Sequence, residues 1–338
     1  MEYLNFCDKV KLKLQELVGE TATVRIQKVI KNNNIVRYAA IITEKDSNIS
    51  PSIYLENYYG DYINGQSLSD ICRDIMQVHE KYRGGLTFNI ENYFDYNFVK
   101  DKLYLKLINR EKNEEFLKNI PYREIYDLAL IAYVSLEEAQ NGQATITVSD
   151  KNLEMWNVSK DDVFEAAFLN TSENTPPKLE KMTSLMRKLL KEKCFDMEMD
   201  ETEEDIDRVI DMIEENEANV MYVLTNHNRM NGAYCMLYEE YLKKFAESID
   251  SDLYILPSSI HEVLLMPMSC GISKKELECM VRSINSSDLS PGEVLSDNVY
   301  EFYRESGIRW EKSDEKMHQP GIEPASHPPE GCVISLRL

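Results

Sequence analysis

The chain has 338 residues, of which 43% are apolar, and its 38 basic and 59 acidic residues give a formal net charge of −21. This length allows two or three domains. The negative charge argues against a broad nucleic-acid-binding or anionic-membrane surface, because it repels phosphate groups. No segment has the ~18 to 20 consecutive apolar residues that span a bilayer, and the charged N-terminus lacks the apolar centre of a signal peptide.

The seven cysteines indicate a reducing compartment. Their number is odd, they are widely spaced and no CxxC pair occurs, which is typical of free thiols rather than of a disulfide framework or a zinc site. The five histidines do not suggest a multi-histidine metal site, and no glycine-rich loop precedes a Lys-Ser or Lys-Thr pair. We therefore expect a cytoplasmic protein with no metal site and no cofactor.

The N-terminal segment predicts a helix followed by a hairpin. Residues 3–18 place Phe6, Val10, Leu14 and Leu17 at helical spacing, and Gly19 ends the helix. Residues 21–30 and 35–43 are β-prone, and the asparagines between them favour a turn.

A second helix is predicted to begin at Ser50-Pro51, because serine suits the N-cap and proline the first helical position. On that helix Tyr54, Tyr58 and Tyr62 would form one stripe. The stripe is either a stacking surface for a ligand or peptide, or a face packed on a sheet with its hydroxyls at the rim.

The middle of the chain predicts alternating helices and strands. Capping pairs begin two helices, with Ser67 and Asp70 in one and Ser159 and Asp162 in the other. The predicted helices are 67–82, 111–119, 150–156 and 159–170, and the predicted strands are 103–108, 125–134 and 145–148.

Residues 170–178 contain Thr-Pro-Pro and predict a loop or linker, followed by a basic helix over 181–193. Residues 196–217 carry twelve acidic residues against one basic residue, Arg208. A calcium loop is excluded, because the sixth position from Asp196 is Glu201 where that loop needs glycine. We therefore interpret residues 196–217 as a solvated charged segment that leads into an amphipathic helix. The inward residues of that helix would be Ile206, Val209, Ile210 and Ile213.

The C-terminal part predicts the order βαββαβ, which is a split βαβ arrangement. Its predicted elements are strand 220–225, helix 232–249, strands 253–256 and 263–266, helix 273–284 and strand 299–303. The two central strands would form a hairpin around Pro257, Ser258 and Ser259.

The predicted hairpin determines what His261 and Glu262 can do. Side chains alternate along a strand, so His261 would share a face with Val263 and Leu265, and Glu262 would point the other way. The two side chains therefore do not form a ready acid/base pair, and Leu265 excludes the zinc-protease H-E-x-x-H motif.

Polar residues cluster near the predicted strand ends, and a Ser/His/Asp triad can be written from Ser258 or Ser259, His261 and Asp297. The alternative is that the serines cap a turn, His261 bonds to a backbone carbonyl, and Asp297 forms a second turn with Asn298. No Gly-x-Ser-x-Gly motif accompanies the serines. The candidate binding residues are Tyr54, Tyr58, Tyr62, Asn226, Glu262 and Asn298.

We expect an α+β protein with mixed or antiparallel sheets and packed helices. The predicted domains are an N-terminal α+β domain over 1–172, a linker and acidic helical segment over 173–217, and a C-terminal α+β domain over 218–306. Residues 307–338 are rich in proline towards the end, and we expect a disordered and non-native tail there.

Several segments resemble a bacterial family known only as domain of unknown function 5688. They are MYVLTN with NGA (221–226, 231–233), DLYILPSSIHEVLLMP (252–267), ELECMVRSIN (276–285), EVLSDNVYEFY (293–303), NISPSIYLENYYGDYINGQ (48–66) and VKDKLYLKLIN (99–109). The resemblance extends over about residues 1–305 and ends near Trp310. It implies an intracellular bacterial protein, but it assigns no activity and carries over no catalytic residue.

Two classes of function remain. The first, which we favour, is a non-catalytic binding or adaptor protein that holds a protein partner, since tyrosine and methionine, which serve at contact surfaces, number 20 and 15. The second is a hydrolase of unfamiliar type that uses His261 with Ser258 or Ser259 and Asp297. We expect neither nucleic acid nor membrane as a partner.

Overall fold

The computed structural model describes residues 2–45, 50–82, 90–136, 145–197, 203–214 and 221–309. Within them the chain is an α+β protein with three sheets and packed helices, as predicted. The chain divides into two compact units. The first comprises residues 1–104, 112–121 and 132–167, and the second comprises residues 105–111, 122–131 and 168–338.

The first unit begins with a three-stranded sheet and its helices. The elements are α1 (Glu2–Val18), β1 (Ala22–Ile30), β2 (Val36–Glu44), β3 (Ser52–Tyr54), α2 (Glu56–Ile63) and α3 (Leu68–Tyr82), and the strand order is β1-β2-β3. The predicted helix over 3–18 and the following hairpin are confirmed. Phe6, Val10 and Leu14 are buried in one core with Ile71 and Ile75 of α3, whereas Leu17 is exposed.

The predicted helix start at Ser50-Pro51 is wrong. Residues Ser52–Tyr54 form β3, which pairs antiparallel with β2, and α2 begins only at Glu56. The backbone N–H of the buried Leu55 donates to Tyr38 O at 2.9 Å. Pairing with the neighbouring strand therefore outweighs the local preference of Ser-Pro for a helix N-terminus.

The central elements include a second sheet. They are α4 (Ile90–Tyr93), α5 (Tyr96–Val99), β4 (Leu103–Asn109), α6 (Glu114–Leu117), β5 (Tyr122–Ile125), β6 (Leu128–Ser135), β7 (Thr145–Thr147), α7 (Asp150–Trp156) and α8 (Lys160–Asn174). Strand β6 is the central strand and pairs with β4, β5 and β7.

The single strand predicted over 125–134 is wrong at its start. The chain reverses at Tyr126 and Asp127, and Ile125 of β5 pairs with Leu128 of β6. Tyr126 adopts the left-handed conformation with φ 59°, which is uncommon for a residue other than glycine or asparagine. No Gly or Asn-Gly signal in the sequence indicates this turn.

The second unit is built on a six-stranded sheet with the order β13-β12-β10-β11-β9-β8. Its elements are β8 (Pro177–Lys181), α9 (Met182–Met197), α10 (Glu203–Glu214), β9 (Tyr222–Asn226), α11 (Glu239–Ser248), β10 (Leu253–Ser259), β11 (Glu262–Pro267), α12 (Lys274–Ser287), β12 (Tyr300–Tyr303) and β13 (Gly307–Arg309).

The predicted βαββαβ order is confirmed in this unit. Strands β9 and β10 are joined through α11 and separated in the sheet by β11, and both pair antiparallel with it. Strands β11 and β12 are joined through α12 and pair antiparallel with β10, which lies between them. Both helical connections are therefore split by an inserted strand.

Two local predictions in the second unit are corrected. Residues 170–178 are not a loop, because α8 continues to Asn174 and Pro177 begins β8. Strand β8 lies at the edge of the sheet, where a proline removes no needed hydrogen bond. The predicted helix 232–249 is a 3-10 helix over Gly232–Leu237 followed by α11.

Parts of several predictions lie outside the described residues. They include residues 198–202 and 215–217 of the acidic segment, and residues 310–338 of the predicted tail. Residues 307–309 form β13. The domain boundaries at 172 and 218 stay predictions. In the part of the chain that the structure describes, no helix is both long and apolar enough to cross a membrane.

Candidate functional site

The β10–β11 hairpin places His261 differently from the sequence prediction. Pro257 pairs with Val263, Ser259 pairs with Glu262, and a bulge lies between Pro257 and Ser259. The turn is therefore Ile260–His261 and not Pro257–Ser259, and His261 does not lie on β11. Backbone bonds from Ile260 N to Glu293 O (2.9 Å) and from Ala233 N to Ile260 O (3.3 Å) hold the turn in this position.

Hydrogen bonds to both the ring and the backbone of His261 hold this residue in the turn. Its Nδ1 accepts from Asn231 N at 3.1 Å, its own N–H donates to Ser259 Oγ at 3.0 Å, and its carbonyl accepts from Thr225 Oγ1 at 2.8 Å. Because Nδ1 is an acceptor, the ring proton of the neutral imidazole lies on Nε2. The half-buried ring therefore joins the hairpin turn to the segment that follows β9.

The structure does not assemble the Ser/His/Asp triad. In a triad the Nδ1–H of histidine donates to the carboxylate and Nε2 accepts from serine, whereas here Nδ1 accepts from a backbone N–H. Among the described residues, His261 makes no hydrogen bond to Asp297 or to the hydroxyl of Ser258, and Asp297 Oδ1 accepts from Asn285 Nδ2 at 2.7 Å.

Asn226 and Gly232 complete the corner around His261. Asn226 closes a loop, because its Nδ2 donates to Met230 O at 2.7 Å and its Oδ1 accepts from Met230 N at 3.2 Å. Asn231 has a left-handed backbone with φ 54°. A Cβ on Gly232 would collide with Thr225 Oγ1 and lie 2.5 Å from His261 O. Only glycine therefore fits where this segment crosses the end of β9.

The single stripe predicted for Tyr54, Tyr58 and Tyr62 is wrong, because Tyr54 lies on β3 and the other two lie on α2. The rings of Tyr58 and Tyr62 are partly buried against the core of the first unit, and Tyr62 contacts Phe6 with ring centroids 5.1 Å apart. The Tyr54 ring lies beneath the Nζ of Lys31, 4.9 Å from its centroid. The three tyrosines therefore do not form one helical stripe.

A buried carboxylate, which the sequence analysis missed, organises the segment before β12. Asp127 Oδ2 accepts from Ser296 Oγ at 2.6 Å and from Asn298 Nδ2 at 2.9 Å, and its Oδ1 accepts from Tyr300 OH at 2.6 Å. Burial and the neighbouring Asp127 raise the pKa of Tyr300 well above its usual value. The side chain of Asn298, a predicted binding residue, is thus hydrogen-bonded to Asp127 within the protein. The sequence does indicate this network in one way: Asp127 is the one acidic residue in the apolar run 125–134.

The remaining predicted site residue is Glu262, and it does not line the cleft that the structure describes in the second unit. Glu262 is half-buried at the start of β11, opposite Ser259. A cleft of about 610 Å³ lies elsewhere in the second unit, and none of the predicted site residues lines it. Its lining residues are Lys243, Glu247, Asp252, Tyr303, Arg304, Glu305, Ser306 and Arg309. Among the described residues, no group of three or more His, Cys, Asp or Glu is placed to hold a metal ion.

Among the described residues, the paired helices α9 and α10 carry six large exposed apolar side chains. We call this set the α9–α10 stripe, and it consists of Met186, Leu189, Leu190, Val209, Met212 and Ile213. Met212 is 64% exposed, Val209 54% and Leu189 47%. The prediction that Ile206 and Ile210 face inward is confirmed, but Val209 and Ile213 are exposed. The two helices are joined by ion pairs from Arg187 and Lys191 to acidic residues of α10.

The first prediction concerns the close approach at Gly232. We expect Gly232→Ala to destabilise the protein by about 3 kcal/mol, because the new methyl group collides with backbone atoms that cannot move independently. Gly60→Ala on α2 is the matched control, since nothing lies within 4 Å of its Cβ position and alanine favours a helix. Denaturant unfolding measures both. Equal stability of the two variants would contradict the predicted collision.

The second prediction concerns Asp127. We expect Asp127→Ala to cost about 2 to 4 kcal/mol of unfolding free energy, because it leaves buried donors on Ser296 and Tyr300 without their acceptor. Asp297→Ala, at a half-buried position that accepts from Asn285, should cost less. Urea unfolding measures the unfolding free energy that each variant loses. A larger loss in Asp297→Ala than in Asp127→Ala would show that the hydrogen bonds to Asp127 are not a main source of stability.

Comparison with known proteins agrees with the resemblance seen in the sequence. A family described only as being of unknown function, DUF5688, matches residues 3–304, which is most of the chain and nearly all of the described structure. No curated protein and no solved structure matches. The chain therefore belongs to the DUF5688 family.

Proposed function

We propose that this protein is a non-catalytic binding or adaptor protein of the cytoplasm, and that a protein partner docks on the α9–α10 stripe. The observation that carries the proposal is the exposure of six large apolar side chains on two paired helices. Single exposed apolar residues are ordinary on a protein surface, but contiguous patches mark interaction sites. Two of the six are methionines, whose flexible side chains adapt to a partner.

The geometry around His261 also supports a non-catalytic function. The side chains of Asn226 and His261 are bonded to backbone atoms of Met230 and Asn231 in the same corner, so their polar atoms stabilise the loop after β9. The described cysteines that are free include the buried Cys7, Cys72 and Cys235, which is the expected state in a reducing cytoplasm.

A hydrolase is the second candidate. The observation in its favour is that His261 lies beside Ser259 with a half-buried ring whose Nε2 makes no hydrogen bond among the described residues. For the triad to form, Nδ1 would have to release the bond from Asn231 and turn to Asp297. Ser259 Oγ would also have to release the backbone N–H of His261. The hydrolase therefore requires a rearrangement of this corner, and the binding protein does not.

The third prediction tests the stripe as a docking surface. We expect immobilised wild-type chain to retain a specific set of proteins from cells of the native host, and the double variant Leu189→Glu/Met212→Glu to lose it. Both positions are exposed, so the variant should keep its stability to within about 0.5 kcal/mol. The control is Leu12→Glu on α1, where leucine is 66% exposed. Identical retention by all three chains would reject the stripe as the docking surface.

The fourth prediction separates the two functions. We expect an activity-based probe for serine hydrolases to leave Ser258 and Ser259 unlabelled in the wild-type chain. His261→Asn should cost about 1 to 2 kcal/mol of stability and change nothing else, because the amide oxygen can still accept from Asn231. Labelling of either serine in wild type, and its loss in the folded His261→Asn variant, would establish the hydrolase instead.

A further inference from the structure

Strand β1 provides the longest sheet edge that the structure describes. It has nine residues and lies at one side of the order β1-β2-β3, whereas the strands at the other described sheet edges have three to seven residues. The edge of a sheet carries backbone N–H and C=O groups that can pair with another chain. An edge of this length can therefore take up a further strand wherever those groups are unpaired.

Three hydrogen bonds establish which backbone groups of β1 point away from β2. Lys31 N donates to Ile35 O at 2.8 Å. Because bonded and non-bonded pairs alternate along an antiparallel ladder, the odd-numbered residues of β1 bond to β2 and the even-numbered residues point outwards. The side chain of Gln15 on α1 agrees with this alternation, since it donates to Ala22 O at 3.0 Å and accepts from Val24 N at 2.9 Å.

The second half of this edge is open. By the same alternation, Ile26, Lys28 and Ile30 direct their backbone N–H and C=O groups outwards, and no other residue in the described part of the chain bonds to these groups. We call these three residues the β1 edge. Gln15 covers only the first half of the strand, where Ala22 and Val24 are buried, whereas Lys28 and Ile30 are exposed.

The charge along the β1 edge is positive, in a chain whose net charge is −21. Residues 21–43 include four basic residues and no acidic residue. Arg25 and Lys28 are exposed, and neither forms an ion pair with a residue that the structure describes. Helix α1, which packs on β1, has three acidic and three basic residues and so adds no net charge. Glu44 lies opposite Ala22, at the other end of the strand.

The two unpaired cations lie on opposite faces of the sheet. Arg25 and Lys28 are three residues apart, and successive side chains of a strand alternate between faces. A strand that paired with the β1 edge would therefore meet one cation on each face. Side chains that lie opposite each other on paired strands are about 5 Å apart, close enough for opposite charges to attract. Acidic residues with the same spacing of three would match both cations.

We propose that the β1 edge binds an extended acidic segment of a partner protein, which adds a strand to the first sheet. Backbone hydrogen bonds would provide affinity, and the carboxylates of the segment beside Arg25 and Lys28 would provide selectivity. A second copy of β1 fits less well, because it would bring the same unpaired cations to the same edge. The proposal is independent of the α9–α10 stripe, so either surface can fail without the other.

The test uses the full chain and a fluorescent peptide of about nine residues that repeats Thr-Val-Glu, so that its glutamates have the spacing of Arg25 and Lys28. One control peptide has lysine in place of glutamate. The other keeps the sequence but is N-methylated at its valines, which removes backbone donors and leaves the charge unchanged. Fluorescence anisotropy measures binding to wild type, to Arg25→Glu/Lys28→Glu and to Leu189→Glu/Met212→Glu as the matched control.

We expect wild type and the stripe variant to bind the Thr-Val-Glu peptide with equal affinity. Wild type should bind both control peptides at least about tenfold more weakly, and Arg25→Glu/Lys28→Glu should instead prefer the lysine peptide, which also shows that this variant is folded. Equal binding of the N-methylated peptide would reduce the effect to charge and overturn the proposal. Unchanged binding by Arg25→Glu/Lys28→Glu, or no binding by wild type, would overturn it as well.

Amide hydrogen exchange, followed by NMR, tests where the peptide binds. In the free chain, the amides of Arg25 and Gln27 should exchange more slowly than those of the β1 edge, because they bond to β2. The Thr-Val-Glu peptide should slow exchange at the β1 edge at least about tenfold. Protection only at other residues would contradict the proposal. A wild-type dimer that the peptide dissociates, seen by analytical ultracentrifugation, would assign the edge to a second copy and also overturn it.

Discussion

The buried carboxylate of Asp127 is the interaction on which much of the second unit depends. A carboxylate removed from water is stable only when donors surround it, and here Ser296, Asn298 and Tyr300 supply them. The residues that it joins are as much as 173 positions apart in the chain. The turn between β5 and β6 thereby positions the segment that leads into β12, so the final strands of the six-stranded sheet depend on a residue far upstream.

The sequence predicts correctly those elements that are encoded locally. Helices α3 and α8 each begin after a serine, Ser67 or Ser159, whose hydroxyl accepts from the backbone N–H three residues later, and both predicted pairs form. The βαββαβ order also follows from apolar runs and the turns between them. In these elements the spacing, the capping residue and the burial all favour the same structure, and no distant contact is needed to choose among alternatives.

The errors occur where tertiary hydrogen bonds choose between two acceptable local structures. Ser52–Tyr54 forms a strand because β2 offers an edge, and the chain reverses at Tyr126 because Asp127 has partners in the segment before β12. The turn at His261 follows the same rule. Ser-Ser is a good turn signal, but Glu293 and Ala233 hold the backbone of Ile260 and move the turn two residues on. That shift removes His261 from the strand and changes which groups its ring can contact.

The exposed stripe shows why an amphipathic pattern alone does not determine burial. The apolar residues of α10 from Met212 round to Ile210 span an arc of about 160° at ~100° per residue. Helix α9 is the main described neighbour of α10, and one packed helix covers only part of such an arc. Ile206 and Ile210 are therefore buried, while Val209 and Ile213 of the same predicted face remain exposed. An apolar face wider than the packed neighbour covers leaves side chains exposed to solvent, and these are the side chains that the proposed function assigns to a partner.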